Sequence, residues 1–266
     1  MDALNRYDTK ELILFSALAG RVMLENGAET YRAEETVERI LTSRGIARTH
    51  SFVIPTAIFI SIEYEDELYS HSERIKNIGI DLMRITRVNE LSREFVESGM
   101  SIEMAKEKLN AIKQSSQYGI RTRILFAGVA GSFIALLFKG GLVEFGGAFF
   151  ASLITAYVLE RLCLAGASLF ARNLIGGATA ATASILFGIV FTNLNLTPNL
   201  DIIIIGSIMT MVPGVAITNA VRDSISGDYV SGLSRSSEAL VIAVAMAFGV
   251  GLVLNGASLI LGRLMP

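Results

Sequence analysis

Toward the end of the chain, an apolar stretch carries side chains that packing alone does not require. From Gly206 to Gly232 it reads GSIMTMVPGVAITNAVRDSISGDYVSG and holds Thr210, Pro213, Gly214, Asn219, Arg222, Asp223 and Asp228. Pro213 lacks an amide proton and its ring clashes with the preceding turn, and Gly214 adds backbone freedom, so the pair predicts a kink or an unwound turn. Backbone groups freed at membrane depth are tolerated only against protein or water. Asn219, Arg222 and Asp223 follow one to two turns later. The planar, permanently charged fork of Arg222 suits a small carboxylate, and a discontinuous helix beside polar groups is the arrangement secondary transporters use for substrate. The competing reading of the same spacing is a packing kink followed by an interfacial Arg222-Asp223 anchor.

Motifs for other chemistry are missing. There is no G-x-x-x-x-G-K-[ST], no G-x-S-x-G and no H-E-x-x-H, so neither a P-loop, a nucleophile elbow nor a zinc-protease helix is indicated. His50 and His71 are the only imidazoles, and no carboxylate pair accompanies them at metal-ligand spacing. The single Cys163 excludes an intramolecular disulfide and a Cys-based zinc site. No catalytic residue, metal or cofactor is therefore expected. Glu34, Glu35 and Glu38 read as a solvated helix face.

The elements that carry these residues divide the chain in two. Of 266 residues, 52% are hydrophobic and 18% charged, but residues 1–120 hold 15 of the 23 Lys/Arg and 19 of the 25 Asp/Glu. Glycine is skewed the other way, with 18 of 24 after position 120. A net charge of −2 excludes a broad basic footprint and hence a nucleic-acid partner. After position 120, uncharged runs predict five spans near 124–142, 146–165, 172–193, 201–220 and 239–262 across a hydrocarbon core of about 30 Å. Lys139 is expected to snorkel at the end of the first. Arg121, Arg123, Arg161, Arg172, Arg222 and Arg235 on one side, against Lys139 and Arg263 on the other, predict a cytoplasmic amino terminus and an outer carboxy terminus. Small residues at four-residue spacing, Gly176/Ala180/Ser184/Gly188, Ala239/Ala243/Ala247/Gly251 and Ala127/Gly131/Ala135, predict close helix packing, within the bundle or against a second subunit.

Residues 1–120 read as a water-soluble α+β domain, so the fold class is a membrane all-α bundle preceded by a small α+β unit. Helices are predicted over 9–26 (Leu12, Phe15, Ala19, Val22), 29–43 (Ala33, Val37, Ile40, Leu41, with a Glu35/Arg39 pair), 80–97 (Leu82, Ile85, Val88, Leu91, Phe95) and 101–116 (Ile102, Ala105, Leu109, Ile112). Asn26-Gly27 ends the first, and Ser101 caps the last. Between them Phe52, Ile54, Ile58, Ile60, Ile62 and Tyr64 occupy even positions, broken at Pro55-Thr56, as two short strands or one interrupted strand. Glu65-Asp66 turns the chain into a further strand over 67–75.

The membrane motif just described, Val212-Pro213-Gly214 through Asn219, Arg222-Asp223, Gly227-Asp228 and Ser231-Gly232, has a companion at the other end of the chain. This is Gly27-Ala28-Glu29-Thr30-Tyr31-Arg32, followed by Glu34, Glu35 and Thr36. Together, in this order, they resemble the threonine/serine exporter family of bacterial membrane transporters. The resemblance implies a cytoplasmic amino-terminal region followed by about five spans. It carries Gly27, Glu29, Thr30, Arg32 and Glu34 as the family motif of the first domain. Single-chain members have a second block of spans. This chain, ending at Pro266, looks like the larger component of a two-chain exporter, similar to the bacterial pair implicated in succinate export, with a small membrane partner supplying that block.

The expected function is thus an inner-membrane exporter subunit for a small carboxylate-bearing metabolite, threonine/serine or a dicarboxylate such as succinate, driven by an ion gradient. Its partners would be the lipid bilayer, the small membrane subunit, the metabolite and, in a homo-oligomer, further copies of itself. Two alternatives stand beside it. One is a membrane-anchored hydrolase drawing on Glu29, Glu34 and His71, and the other a non-transporting scaffold.

Overall fold

The computed structural model describes residues 6–76, 78–115 and 118–264. The chain forms two compact units, one of Met1–Gln117 with Val215–Ser236, the other of Tyr118–Gly214 with Ser237–Pro266. The sequence suggests one boundary at 120/121. The units change hands again at 214/215 and 236/237.

In the first unit, α1 (Arg6–Glu25) and α2 (Thr30–Thr42) precede an antiparallel meander of β1 (Arg48–Ile54), β2 (Ala57–Tyr64) and β3 (Glu67–Arg74), followed by α3 (Leu82–Ser98) and α4 (Ile102–Gln114). The predicted apolar faces of α1 and α2 are all buried, and the rings of Phe15 and Phe95 meet at 5.1 Å in the core. Arg39 pairs with Glu35 at 2.5 Å, and the Ser101 hydroxyl accepts the Met104 amide at 3.3 Å. Leu82 departs from the pattern. It opens α3 directly after the capping Asp81 and is 63% exposed, because the helix reaches the core only at Ile85.

The even-numbered run 52–64 also splits. Pro55-Thr56 is a two-residue turn that sets Ile54 opposite Ala57, so even positions of β1 share a face with odd positions of β2. Val53 therefore joins Ile58, Ile60 and Ile62 in the core, while Phe52 and Phe59 stack on the outer face, 54% and 46% exposed, with centroids 6.2 Å apart. Glu65 and Asp66, both at positive φ, make the second tight turn.

The second unit holds α5 (Ile120–Leu137), α6 (Leu142–Leu164), α7 (Leu169–Asn193), α8 (Leu200–Ile208) and most of α10 (Tyr229–Leu264). Among the described residues four helices, α5, α6, α7 and α10, are long and apolar enough to cross a membrane, and a fifth span counts if α8 and α9 (Gly214–Ile225) are taken as one broken helix. The first span does not run on through Lys139. That residue adopts φ +65, and the Gly140 amide returns to the Ala135 carbonyl at 2.9 Å, which closes the helix. The predicted break at Pro213 is present. After α8 comes a single 3-10 turn, Met209–Met211, then Val212 and Pro213 outside any helix. Close packing uses the small residues. A Cβ on Gly206 would fall 2.7 Å from the Gly131 carbonyl oxygen, one on Gly176 would strike Met211 and Leu159, and one on Gly188 would strike Leu200. The Gly176/Ala180/Ser184/Gly188 face is thus spent inside this unit. On α10, Ala239 is buried, whereas Ala243, Ala247 and Gly251 are exposed. The buried Glu144 carboxylate accepts the amides of Gly141 (2.7 Å) and Asn199 (2.8 Å), tying the start of α6 to the start of α8.

The inverted parity of β1 gives a direct test. Val53→Ser should destabilise the purified chain by about 2 kcal/mol in guanidinium unfolding, through lost burial and an unpaired hydroxyl. Phe52→Ser should cost no more than about 1 kcal/mol, the scale of one cross-strand pair. Equal losses would place both side chains in the core.

Candidate functional site

The site is built from two helix ends of the same geometry. At the end of α1, Gly27 sits at φ +88, its amide donates to the Leu24 carbonyl and the Ala28 amide to the Met23 carbonyl, each at 3.1 Å. This is the Schellman closure that glycine permits without strain. A Cβ at position 27 would also lie 3.1 Å from the Gly79 carbonyl oxygen. The turn leaves the carbonyls of Gly27 and Ala28 as free acceptors, places Glu29 at the amino-terminal cap of α2, and starts that helix with Thr30. At the end of α9, Gly227 sits at φ +89, its amide donates to Ser224 (3.2 Å) and the Asp228 amide to Asp223 (2.9 Å). Asp228 is thereby folded back toward Asp223, and its Oδ1 accepts the Ser231 amide at 3.2 Å in the first turn of α10.

Both turns lie in the first unit, and there they meet. Asn219 Nδ2 donates to the Gly27 carbonyl at 3.0 Å, and Arg235 Nη2 donates to the Ala28 carbonyl at 2.6 Å. Arg222 ion-pairs with Glu29, whose other oxygen is 3.4 Å from Arg32. The Thr30 hydroxyl lies 3.1 Å from Asp223 Oδ1 and 3.1 Å from Asp228 Oδ2, and Arg235 Nε donates to Asp223 Oδ2 at 3.1 Å. The side chains of Asp223 and Arg235 are 1% and 4% exposed, and that of Arg222 is 50% exposed. A charge pair so deep repays its desolvation only through further hydrogen bonds, and the Ala28 carbonyl and the Thr30 hydroxyl supply part of them. The Arg222 pair is open to water and correspondingly weaker.

Of the residues singled out from the sequence, Gly27, Glu29, Thr30, Asn219, Arg222, Asp223 and Asp228 come together here, with Arg32 at the edge. Glu34, one turn along α2, has its carboxyl pushed above the usual range, first by burial and then by the charges of Glu38 and Asp228. Thr210, Pro213 and Gly214 are not part of this cluster. They belong to the second unit, Thr210 exposed in the 3-10 turn and Pro213-Gly214 at the break. Arg235 was legible only as a charge flanking a span, though its place in a Ser-Arg-Ser-Ser-Glu run one turn before the apolar stretch was available as a signal. His71 sits on β3, 3.9 Å from Glu73, and Cys163 is exposed, 3.7 Å from Arg172. No group of three or more His, Cys, Asp or Glu side chains suited to a metal occurs among the described residues.

Several apolar helices of spanning length, with a charged cluster built from the two distant motifs, define a multi-pass membrane protein. The family model of ThrE, "Putative threonine/serine exporter", matches residues 14–256, and the chain belongs to that family. It is 24% identical over 247 residues to a threonine/serine exporter of Corynebacterium glutamicum, covering 89% of this chain but 49% of that protein, so it spans about half that relative's length. It is 23% identical over 228 residues to a probable succinate transporter subunit, YjjP, of Klebsiella aerogenes, covering 86% of this chain and 87% of the relative. The YjjP of Escherichia coli is 24% identical over 237 residues, covering 89% and 91%. No solved structure matches the chain.

Glu34 yields a pH prediction. Its raised pKa means that the folded state holds a proton the unfolded state has already released, so stability falls as pH rises between the unfolded and folded pKa values. Glu34→Gln should remove that loss. The variant should unfold at a higher temperature than the parent at neutral pH and at the same temperature well below the carboxylate range. A parent whose midpoint does not fall relative to the variant on raising the pH would contradict the assignment.

Proposed function

We propose that the chain is a subunit of a bacterial inner-membrane exporter. It moves a small carboxylate-bearing metabolite outward by secondary transport, threonine/serine or a dicarboxylate such as succinate, together with a small membrane partner. The observation that carries this reading is the half-exposed Arg222, held by the chain's own carboxylate Glu29. A substrate carboxylate can compete for the same planar fork. Exchange releases the start of α2 from α9, while the buried Asn219–Gly27 and Arg235–Asp223 contacts keep the turn in register. Thr210, Pro213 and Gly214, in the second unit, form a hinge or gating segment with freed backbone, and Asp223 and Asp228 hold the start of α2 within the first unit through Thr30. The energy comes from an ion gradient. The names of the relatives, a threonine/serine exporter and a succinate transporter subunit, support the substrate class.

The membrane path follows from the first unit's composition. Met1–Gln117 and Val215–Ser236 pack together, so both lie on one side of the bilayer, and an even number of crossings separates them. Helices α5, α6 and α7 supply three, and α8 with its 3-10 turn and the extended Val212-Pro213 supplies the fourth. At 1.5 Å per residue in α8, 2.0 Å in the 3-10 turn and about 3.3 Å in the extended pair, this stretch reaches roughly 26 Å. That is close to the hydrocarbon thickness of about 30 Å. With the basic flanks on the cytoplasmic side, the amino terminus is inside and α10 leaves the carboxy terminus outside. The partner sits on the exposed Ala243/Ala247/Gly251 face of α10, where small residues allow close helix approach. The subunit naming of the two YjjP relatives, which this chain matches over most of their length, supports this arrangement.

Two experiments test the reading. In cells or vesicles loaded with labelled threonine or succinate, Arg222→Lys keeps charge but loses the bidentate fork. Efflux should fall about tenfold or more with membrane level unchanged, while Glu29→Gln should raise apparent substrate affinity by freeing Arg222. Near-normal efflux from a well-expressed Arg222→Lys protein removes Arg222 from the site. For the path, single cysteines at Asn195 and Ser226 in a Cys163→Ser background should label from outside and from the cytoplasm respectively. The reverse pattern at either position overturns the orientation.

A further inference from the structure

The three-stranded sheet of the first unit has one face that α1 and α2 leave open. Arg21 of α1 reaches Glu73 at 2.5 Å, and Glu38 of α2 accepts the Ser51 hydroxyl at 2.8 Å, so both helices lie on the side of Val53, Ile58, Ile60 and Ile62. On the other side the register sets residues in rungs across the strands. Phe52, Phe59 and Ser72 form the middle rung, with His50, Ser61 and Ser70 on one flank and Ile54, Ala57 and Arg74 on the other. The open face of an antiparallel sheet is ordinarily polar. Here two exposed phenyl rings stack on it, and with His50 and the three serines they line a trough of about 430 Å³.

Size decides what can occupy that face. Strands of 7 and 8 residues, three abreast at about 4.8 Å and rising about 3.3 Å per residue, present roughly 350 Å². A stable protein partner needs about 800 Å² from each side, whereas a trough of this volume suits a small molecule. Chemistry narrows the choice. Phenyl faces hold a planar ring. The Ser61 and Ser70 hydroxyls, 3.5 Å apart, and that of Ser72 offer donors and acceptors to polar atoms at the ring's edge, which a nucleobase has and a plain phenyl ring lacks. Of the two arginines on this face, Arg48 is tied to Glu63 at 2.8 Å, while Arg74 is exposed and has no acidic partner among the described residues. Arg74 stands one rung beyond the phenyl pair, about 6.6 Å along the strand, a span that one sugar bridges between base and phosphate. Its planar fork takes two phosphate oxygens. One unpaired arginine matches one phosphate, not the charge of a nucleic-acid chain.

We propose that this open sheet face binds one nucleoside monophosphate, with its base stacked on Phe52 and Phe59 and its phosphate held by Arg74. The site shares no residue with the Glu29–Arg222 cluster and stands without the exporter reading.

The test uses the full chain purified in detergent and equilibrium dialysis against labelled AMP and GMP, whose purines offer the larger stacking faces, and against the matching nucleosides. Saturable binding of either monophosphate is expected. Phe59→Leu keeps an apolar side chain but removes the ring, and should weaken binding about tenfold, the scale of one base–aromatic stack. Arg74→Gln should weaken the monophosphate about tenfold and leave the nucleoside unchanged, a split that a general loss of structure would not produce. Both side chains are exposed, so each variant should unfold at the temperature of the parent; if Phe59→Leu does not, Arg74→Gln alone decides. The proposal is overturned if neither monophosphate binds at millimolar concentration, or if parent and Arg74→Gln bind the monophosphate equally. It also fails if inorganic phosphate displaces the ligand as well as the nucleotide itself does. A concentration-dependent dimer that Phe59→Leu abolishes, in protein that binds no nucleotide, would give the face to a second copy of the chain instead.

Discussion

A carboxylate removed from water must be met by charge and hydrogen bonds or it will not stay ionised, and Asp223 is such a group. Its side chain is almost wholly enclosed, and it is satisfied by Arg235 on α10 and Thr30 on α2. Thr30 and Asp223 lie 193 residues apart in sequence. Arg235 in turn needs the Ala28 carbonyl, which exists as a free acceptor only because Gly27 turns the chain out of α1. α2 is seated by its own apolar face in the core, and the placement of α9 and the first turns of α10 against its start draws on this requirement. Removing either member of the pair would strand the other in a medium where an uncompensated charge costs several kcal/mol.

The same left-handed closure ends α1 and α9, and also α5, α6 and α7, where Lys139, Gly166 and Asn195 hold positive φ. At the membrane helices it simply stops the helix. At Gly27 and Gly227 it also aims groups. In the first case two carbonyls are released toward Asn219 and Arg235. In the second, Asp228 is folded against Asp223. A local backbone rule therefore sets the chemistry, because the position of the turn decides which polar groups are left over.

Much of the architecture could be read from the residues. The periods of Leu12/Phe15/Ala19/Val22 and Ala33/Val37/Ile40/Leu41 identify helix faces because burial repeats every three to four residues. Ser101, Asn26-Gly27 and Pro213 announce their local effects. What failed was whatever depends on a partner that sequence spacing does not reveal. The even-numbered run through β1 and β2 hides a two-residue turn that swaps the faces, so Phe52 is outside and Val53 inside. Lys139 reads as a snorkelling side chain at the end of the first span, and what spacing did not show is that its backbone closes α5. Arg222, Asp223 and Asp228 were legible as a motif, and Gly27 to Arg32 as another. That the two touch, and that Arg235 joins them, is a property of folding over a long separation. Arg235 beside an apolar run looks like any flanking cation until the carboxylate it neutralises is in place.

The discontinuity of the first unit has a consequence for biosynthesis. A ribosome adding about 5–20 residues per second delivers Met1–Gln117 first and needs roughly another 5–20 s to produce the intervening hundred residues before Val215–Ser236 emerges. Throughout that interval the Gly27 and Ala28 carbonyls, Glu29 and Thr30 face solvent as an unfinished surface. The nascent domain matures only after the membrane-insertion machinery has placed α5 to α8. Completion of this domain thus reports on correct insertion. A chain in which Val215–Ser236 failed to reach the first unit would leave the Glu29–Thr30 turn open to proteases and chaperones, which gives quality control a visible mark.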